Sequence, residues 1–269
     1  MMIRVKEISI ADTARAYEFN KEPLPQHPFN IKGFDYAWIL NSREWHQGER
    51  VLDVGGAYSS FPSYLTNKFG CETWVVDDFG NDEADPFWRR NRSPQDHIKL
   101  HPETKYVVER VGNPEKSSLP LNYFDVVYSV STLEHIPSAI TQAAWQHMAA
   151  LLKPNGELIH AVDVILPSNG GIKKIIAAAI FDSLPFLFSE KIRVSHYLST
   201  PKNYIRIVSK ALSADIHPTE KNLRIKDLCL NPEILYDPIE SGWNRISKDG
   251  LQDYHFQHVT SLLIHFIKE

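Results

Sequence analysis

From residue 51 onward, short apolar runs alternate with segments of helical periodicity, and this alternation limits the folds open to the chain. "VLDV", "TWVV" and "FDVVYSV" are nearly continuous in apolar residues. Such runs suit strands whose two faces are both covered by helices, and not the half-exposed strands of a hairpin sheet. Strands are expected at Arg50–Val54, Glu72–Asp77, Tyr106–Arg110, Phe124–Ser129 and Glu157–Val164. Helix signals fall between them. In "SSFPSYLTNKFG" Ser60 can cap, Pro62 sits in the first turn and Gly70 can terminate. In "PSAITQAAWQHMAALLKPNG" Ile140, Ala144, Met148, Leu151 and Leu152 form one stripe, and Pro154–Gly156 turn the chain into the next strand. Strand–helix alternation of this kind predicts a parallel α/β sheet with right-handed crossovers.

The remainder of the chain is less regular. Residues 1–48 are read as a polar, proline-dotted, helical lead-in, with "FDYAWILNSREW" as a helix placing Tyr36, Ile39, Leu40 and Trp45 toward the core. Residues 165–200 are read as a lid-like insertion, opened by "LPSNGG" and closed by "LSTP". A helix in "TPKNYIRIVSKAL" precedes a last strand, "HVTSLLIHFIK". No linker marks a boundary, so residues 1–269 are expected to form a single domain.

Charge and cysteine content exclude several classes. A net charge of −4 argues against a dedicated nucleic-acid binder. Two cysteines, Cys71 and Cys229, make no disulfide framework and suit a reducing cytoplasm, and "MMIRVKEISIAD" lacks the apolar core of a secretion signal. "IIAAAIFDSLPFLF" is shorter than the ~20 residues a bilayer demands and contains Asp182 and Pro185, so no transmembrane segment is expected.

The chemistry-bearing stretch is "VLDVGGAYSSFPSYL", residues 51–65: a strand, an acidic residue, a glycine turn and a helix start. Backbone N–H groups and the positive end of a helix then border a ligand. A dinucleotide turn would need G-x-G-x-x-G. Here Gly55 and Gly56 are adjacent and are followed by Ala57, Tyr58 and Ser59, which disfavours a diphosphate and hence an NAD(P)-dependent oxidoreductase.

The stretch resembles motif I of the class I S-adenosylmethionine-dependent methyltransferases of the small-molecule, type 11-like kind. Three further stretches resemble that family in order and spacing: "WVVDD", then "VGNPEKSSLPLNYFDVVYSVSTLEHIP", then "MAALLKPNGELI", with Asn155 where the family has a glycine. The resemblance implies a doubly wound, mostly parallel seven-stranded sheet, order 3-2-1-4-5-7-6, with strand 7 antiparallel. It implies S-adenosyl-L-methionine as cofactor, bound at the carboxyl ends of strands 1, 2 and 4. Gly55, Gly56 and Ala57 would then face the methionine moiety, and Asp53 would belong to the cofactor-binding set, although it could instead only tie down nearby backbone. Asp77, with Asp78, would hold the ribose diol, since one carboxylate accepts two hydrogen bonds. Asn113 stands where the family often reads the adenine amino group, and Val130 and Ser131 would lie beside the sulfonium through their backbone.

The acceptor is expected to be a small molecule methylated at oxygen, and a catalytically silent cofactor-binding scaffold is the rival reading. His135 in "STLEHIP" is the candidate general base, with a structural role as its alternative; Asp163, His160, His196 and Tyr197 are weaker candidates. "FWRRNR", residues 87–92, could hold an anionic acceptor or be a solvated loop. "DDFGNDEADP" lacks calcium-loop spacing and His255 with His258 lacks a third ligand, so no metal is expected. The insertion could be a lid, a homodimer contact, a membrane-surface helix or a plain buried helix.

Overall fold

The structure, a computed structural model, describes residues 2–7, 30–79, 94–133, 136, 138–166, 201–213, 215–216 and 258–268. The insertion beyond Leu166, the arginine cluster at 87–92, His196, Tyr197, His255 and the Glu134–His135 pair lie outside the described residues.

In chain order the elements are β1 (Met2–Glu7), α1 (Asn30–Asn41), β2 (Arg50–Val54), α2 (Phe61–Phe69), β3 (Glu72–Val76), α3 (Pro94–Leu100) and β4 (Lys105–Val107), followed by β5 (Phe124–Val130), α4 (Ser138–Leu151), β6 (Leu152–Leu166), α5 (Pro201–Leu212), β7 (Asp215–Ile216) and β8 (His258–Ile267). The strands form one sheet in the order β4-β3-β2-β5-β6-β8-β1-β7. β8 alone is antiparallel, both to β6 and to β1. The fold is therefore the expected α/β, mostly parallel, doubly wound one. The predicted sequence 3-2-1-4-5-7 is found as β4-β3-β2-β5-β6-β8.

The far edge differs from expectation. The strand following α5, β7, was expected beside the antiparallel strand, but β1 occupies that place and β7 pairs outside it. Eight strands replace seven among the described residues, and the lead-in begins as a strand before it becomes helical. "MIRVKE" alternates apolar and charged residues, which is the period of a strand. Its register sets Ile3 against Phe266 and Val5 against Ile264.

The strands alternate their side chains between two cores. Leu52, Val54, Val127, Leu158 and Val162 pack against Ala144, Trp145, Met148 and Leu151 of α4, and Val208 and Leu212 of α5. Val51, Val126, Tyr128 and Ile159 pack on the opposite face against Tyr36 and Ile39 of α1, Trp45, and Phe61 and Leu65 of α2. Each fully buried Leu, Ile or Phe contributes about 1.5–3 kcal/mol. Helix α1 stops at Asn41, earlier than expected, because Ser42 turns back to bond the Ile39 carbonyl through both N–H and hydroxyl. Trp45 remains anchored nonetheless: its indole N–H donates to the Leu40 carbonyl at 2.9 Å.

Gly70 ends α2 at φ 72°, a left-handed cap as expected, with its N–H on Thr66. At the other end Ser60 makes no side-chain cap, and Ser59 Oγ accepts from the Phe61 N–H instead. Asn155, in place of the family's glycine, sits at φ 62°, a region asparagine tolerates better than most residues.

Removing residues 1–7 should uncover the β8 edge. We expect the melting temperature to fall by about 5–10 °C, given about 2–4 °C per kcal/mol for a chain of this size. Thermal unfolding of the truncated chain checks this, and an unchanged midpoint would show that β1 adds no stability.

Candidate functional site

The carboxyl ends of β2, β3 and β5 converge on the turn Gly55–Ser60. Its first residue leaves β2 at φ 74°, and its N–H donates to the Val76 carbonyl of β3 at 2.8 Å. A Cβ at Gly55 would lie 2.2 Å from Thr132 Cγ2, and one at Gly56 would lie 2.5 Å from Asp53 Oδ2. Both positions are closed to any side chain, so these glycines are required by close approach. Ala57 follows at φ 36°, keeping the left-handed backbone for which the related motif uses glycine.

Asp77, just past β3, is the hinge of this arrangement. Its Oδ2 accepts from the Ala57 N–H at 3.1 Å, and its Oδ1 accepts from the Phe79 N–H at 2.6 Å. An ionised carboxylate has about four acceptor positions. Each oxygen thus keeps one lone pair for a further donor, as a vicinal diol requires. Burial raises the carboxyl pKa to about 6, the neighbouring Asp78 adds to the rise, and the two backbone donors oppose it. Asp78 itself pairs with Arg110, on the side of β4. The structure therefore separates the two adjacent acids: Asp77 joins the turn, and Asp78 joins the loop after β4.

Asp53 is 2% exposed, and the Tyr128 hydroxyl donates to its Oδ2 at 2.9 Å. Burial first, and the Asp53 charge second, push the phenols of Tyr36, Tyr106 and Tyr128 well above their ordinary range. All three remain neutral donors at any working pH. β5 ends at Val130, one residue beyond the expected Ser129, and Ser131 follows it. Ser131 adopts φ 45° and its N–H donates to the Ala161 carbonyl at 2.8 Å. Thr132 Oγ1 donates to the Val130 carbonyl at 3.1 Å and reaches the Gly55 carbonyl at 3.5 Å. Asn113 is exposed in the loop after β4, and its backbone carbonyl accepts from Lys116.

Thr132 and Tyr128 were not singled out from the sequence, and Tyr36 was read only as a core contact. "STLEH" contained Thr132, but only its contact on Gly55 reveals a role. Among the weaker base candidates, His160 is excluded as a base. It is fully buried beside Trp145, bonded to Ser129 Oγ at 2.7 Å, and burial pushes its pKa down to about 3. Asp163 lies on β6. Among the described residues no group of three or more His, Cys, Asp or Glu could hold a metal ion, and no helix is long and apolar enough to cross a membrane.

A family model described as a methyltransferase domain matches residues 27–174, more than half of the chain. The chain belongs to the methyltransferase-domain family. Its fold is the class I, Rossmann-like one that the motifs implied. No curated protein sequence matches it. Among solved structures, the chain is similar to phosphoethanolamine N-methyltransferase 2 of Haemonchus contortus, solved with phosphomonomethylethanolamine and S-adenosylhomocysteine. The two are 18% identical over 96% of this chain and 58% of that one, with a TM-score of 0.52. The chain thus spans little more than half the length of that relative. It is also similar to an arsenic(III) S-adenosylmethionine methyltransferase of Chlamydomonas reinhardtii, at 14% identity over 97% of this chain and 74% of that one, TM-score 0.47. At such identities the likeness concerns the fold.

The pKa of Asp77 has two consequences of opposite sign. Its folded value of about 6 lies above the ordinary aspartate value of 3.8, so the ionised carboxyl costs stability as pH rises through that window, and the cost is absent at lower pH. A diol, in contrast, donates to the ionised form. The affinity for S-adenosylhomocysteine should therefore weaken as pH falls through about 6, and Asp77→Asn should flatten that dependence. Calorimetric titration across this range measures both.

Proposed function

We propose that this methyltransferase transfers a methyl group from S-adenosylmethionine to an oxygen of a small-molecule acceptor, through a site built on Asp77 and the Gly55–Ala57 turn. The reading is carried by the junction at Asp77, whose two oxygens are each half-occupied by a backbone donor from the turn and from its own strand end. That leaves a paired acceptor beside a glycine turn too tight for side chains. Such a site fits a ribose diol joined to a flexible amino-acid tail. Asp53, Gly55, Gly56 and Ala57 would border the tail, and Asn113 the adenine, with the backbone of Val130 and Ser131 beside the sulfonium. Asp78, held by Arg110, would support the adenosyl side without touching the diol.

Bound there, the cofactor supplies an electrophilic methyl carbon. The residues of the chain contribute position, since alignment of the acceptor against that carbon supplies much of the acceleration in such a displacement. A hydroxyl acceptor must also lose its proton. His135, five residues after the end of β5, is our candidate to receive it. We also assign the 165–200 insertion as the cover of the acceptor pocket, with a homodimer contact as its alternative use, and place the protein in the cytoplasm. Acceptor recognition would then reside largely in the insertion and the lead-in, which the family's common motifs do not reach.

Two substitutions separate binding from turnover. Asp77→Ala should weaken S-adenosylmethionine binding by about tenfold or more, because the charged acceptor of two hydrogen bonds is lost. His135→Ala should abolish turnover and leave cofactor affinity within about twofold, as expected where general-base catalysis contributes about 10²–10⁴. Release of S-adenosylhomocysteine against pools of hydroxylated acceptors reads turnover, and calorimetry reads affinity. Undiminished turnover in His135→Ala would remove that residue from the chemistry, and undiminished affinity in Asp77→Ala would overturn the site.

A further inference from the structure

The loop between β4 and β5 is fastened to α4 at one point. The N–H of Gly112 donates to Nδ1 of His147 at 3.1 Å, across 35 residues of sequence. Gly112 is at φ 108°, a conformation that side chains rarely adopt, and a Cβ there would touch the Ala144 backbone at 3.4 Å. The residue therefore faces α4 closely, with its amide directed at the imidazole. Asn113 is next in the chain. Val111 on one side and Leu119 at the loop's far end are buried in the core beneath. The Glu109 carboxylate closes the base of the loop, accepting from the Ser118 N–H at 2.9 Å, the Ser118 hydroxyl at 2.8 Å and the Ser117 hydroxyl. Asn113 thus sits on a loop whose backbone is fixed on both sides before any ligand arrives.

His147 has no evident structural reward for this service. It is 1% exposed, and with Nδ1 accepting, its proton resides on Nε2, which has no hydrogen-bond partner among the described residues. A buried N–H left unpaired is costly, and an apolar ring of similar volume would avoid that cost. We propose that His147 is a positioning residue for cofactor recognition, its Nδ1 holding Gly112 so that the side chain of Asn113 meets the adenine amino group. The inference rests on the adenine reading of Asn113 given above. Burial lowers the pKa of His147 and the Glu109 charge opposes this, so the ring stays neutral and Nδ1 stays an acceptor around neutral pH.

The test uses S-adenosylhomocysteine and its analogue with unsubstituted purine in place of adenine, each titrated calorimetrically into the full chain. An oxo analogue is avoided because an asparagine amide can turn over and donate to it. His147→Phe removes the acceptor and keeps the volume; His147→Asn keeps an acceptor atom at the same branch point. We expect His147→Phe to weaken the adenosyl compound by about five- to tenfold, the scale of one lost hydrogen bond, and to leave the purine analogue unchanged. His147→Asn should return affinity to within about threefold of the parent, the loss being smaller than a full hydrogen bond. In an Asn113→Ala background, His147→Phe should add no further loss. If Asn113→Ala loses the preference for adenine and His147→Phe does not, the positioning role is overturned and the adenine reading stands. If Asn113→Ala keeps the preference, both fall. Equal weakening of the two ligands by His147→Phe would also overturn the proposal, since it would mark a general packing role.

Discussion

The hydrogen bond from Ala57 N–H to Asp77 joins the two strand ends on which the site depends. β2 and β3 are already parallel neighbours in register from Arg50–Glu72 to Val54–Val76. The Gly55 N–H continues that ladder by one step onto Val76, and Ala57 then reaches across to the side chain beyond it. The turn is thereby an extension of the sheet and not a free loop. Its geometry follows from the strand register, which in turn follows from burial on both faces. In the proposed function, this carboxylate would serve both the backbone and a ligand. It can do so because each oxygen bonds one amide and retains a second lone pair.

Backbone strain collects at the same strand ends. Ala57, Phe79 and Ser131 all have positive φ without being glycine, and they follow β2, β3 and β5 in turn. An L-residue in that region costs about 1–2 kcal/mol. Other such residues of the described chain include Asn122 and Asn155, whose short amides tolerate the conformation, and Ser213 after α5. Strain of this kind persists where the surroundings over-determine it. Here they do: Ala57 and Phe79 are both held by Asp77, and Ser131 is held by Ala161. Three neighbouring strand ends are thus turned sharply at the carboxyl edge of the parallel sheet, where ligands bind in folds of this class.

The parts of this arrangement that were legible in the sequence are those governed by local rules. Continuous apolar runs marked β2, β3 and β5, since burial on both faces leaves no room for alternation. Gly70 marked the end of α2, since a left-handed cap favours glycine. The adjacent Gly55 and Gly56 marked the turn, and the order of four motifs marked the sheet order from β4 to β8. What was not legible depends on distant partners. The strand character of "MIRVKE" is plain only once β8 is found with a free edge. Asp77 and Asp78 are indistinguishable as neighbours in sequence, and Arg110 is what draws Asp78 away. Thr132 is an ordinary strand-end threonine until Gly55 is found against its methyl group, 77 residues earlier in the chain. The cap of α2 shifted by one residue for a similar reason: Ser59 is buried and faces the Phe61 amide, and Ser60 does not.

Electrostatics unify the site beyond its contacts. Asp53 is a carboxylate almost removed from water, and its charge is felt by phenols on three separate elements: Tyr36 of α1, Tyr106 of β4 and Tyr128 of β5. A field that raises those groups toward the neutral form lowers the energy of a cation placed near the same carboxylate, and it does so more strongly where solvent is excluded. A sulfonium ligand with an ammonium tail carries positive charge at two points. After transfer the sulfur is neutral and only the ammonium remains. In the proposed function, the negative end of β2 would hold the charged donor more firmly than the spent one, in the direction that favours exchange of product for donor between turnovers. Position alone would bind both equally; the buried charge of Asp53 would distinguish them.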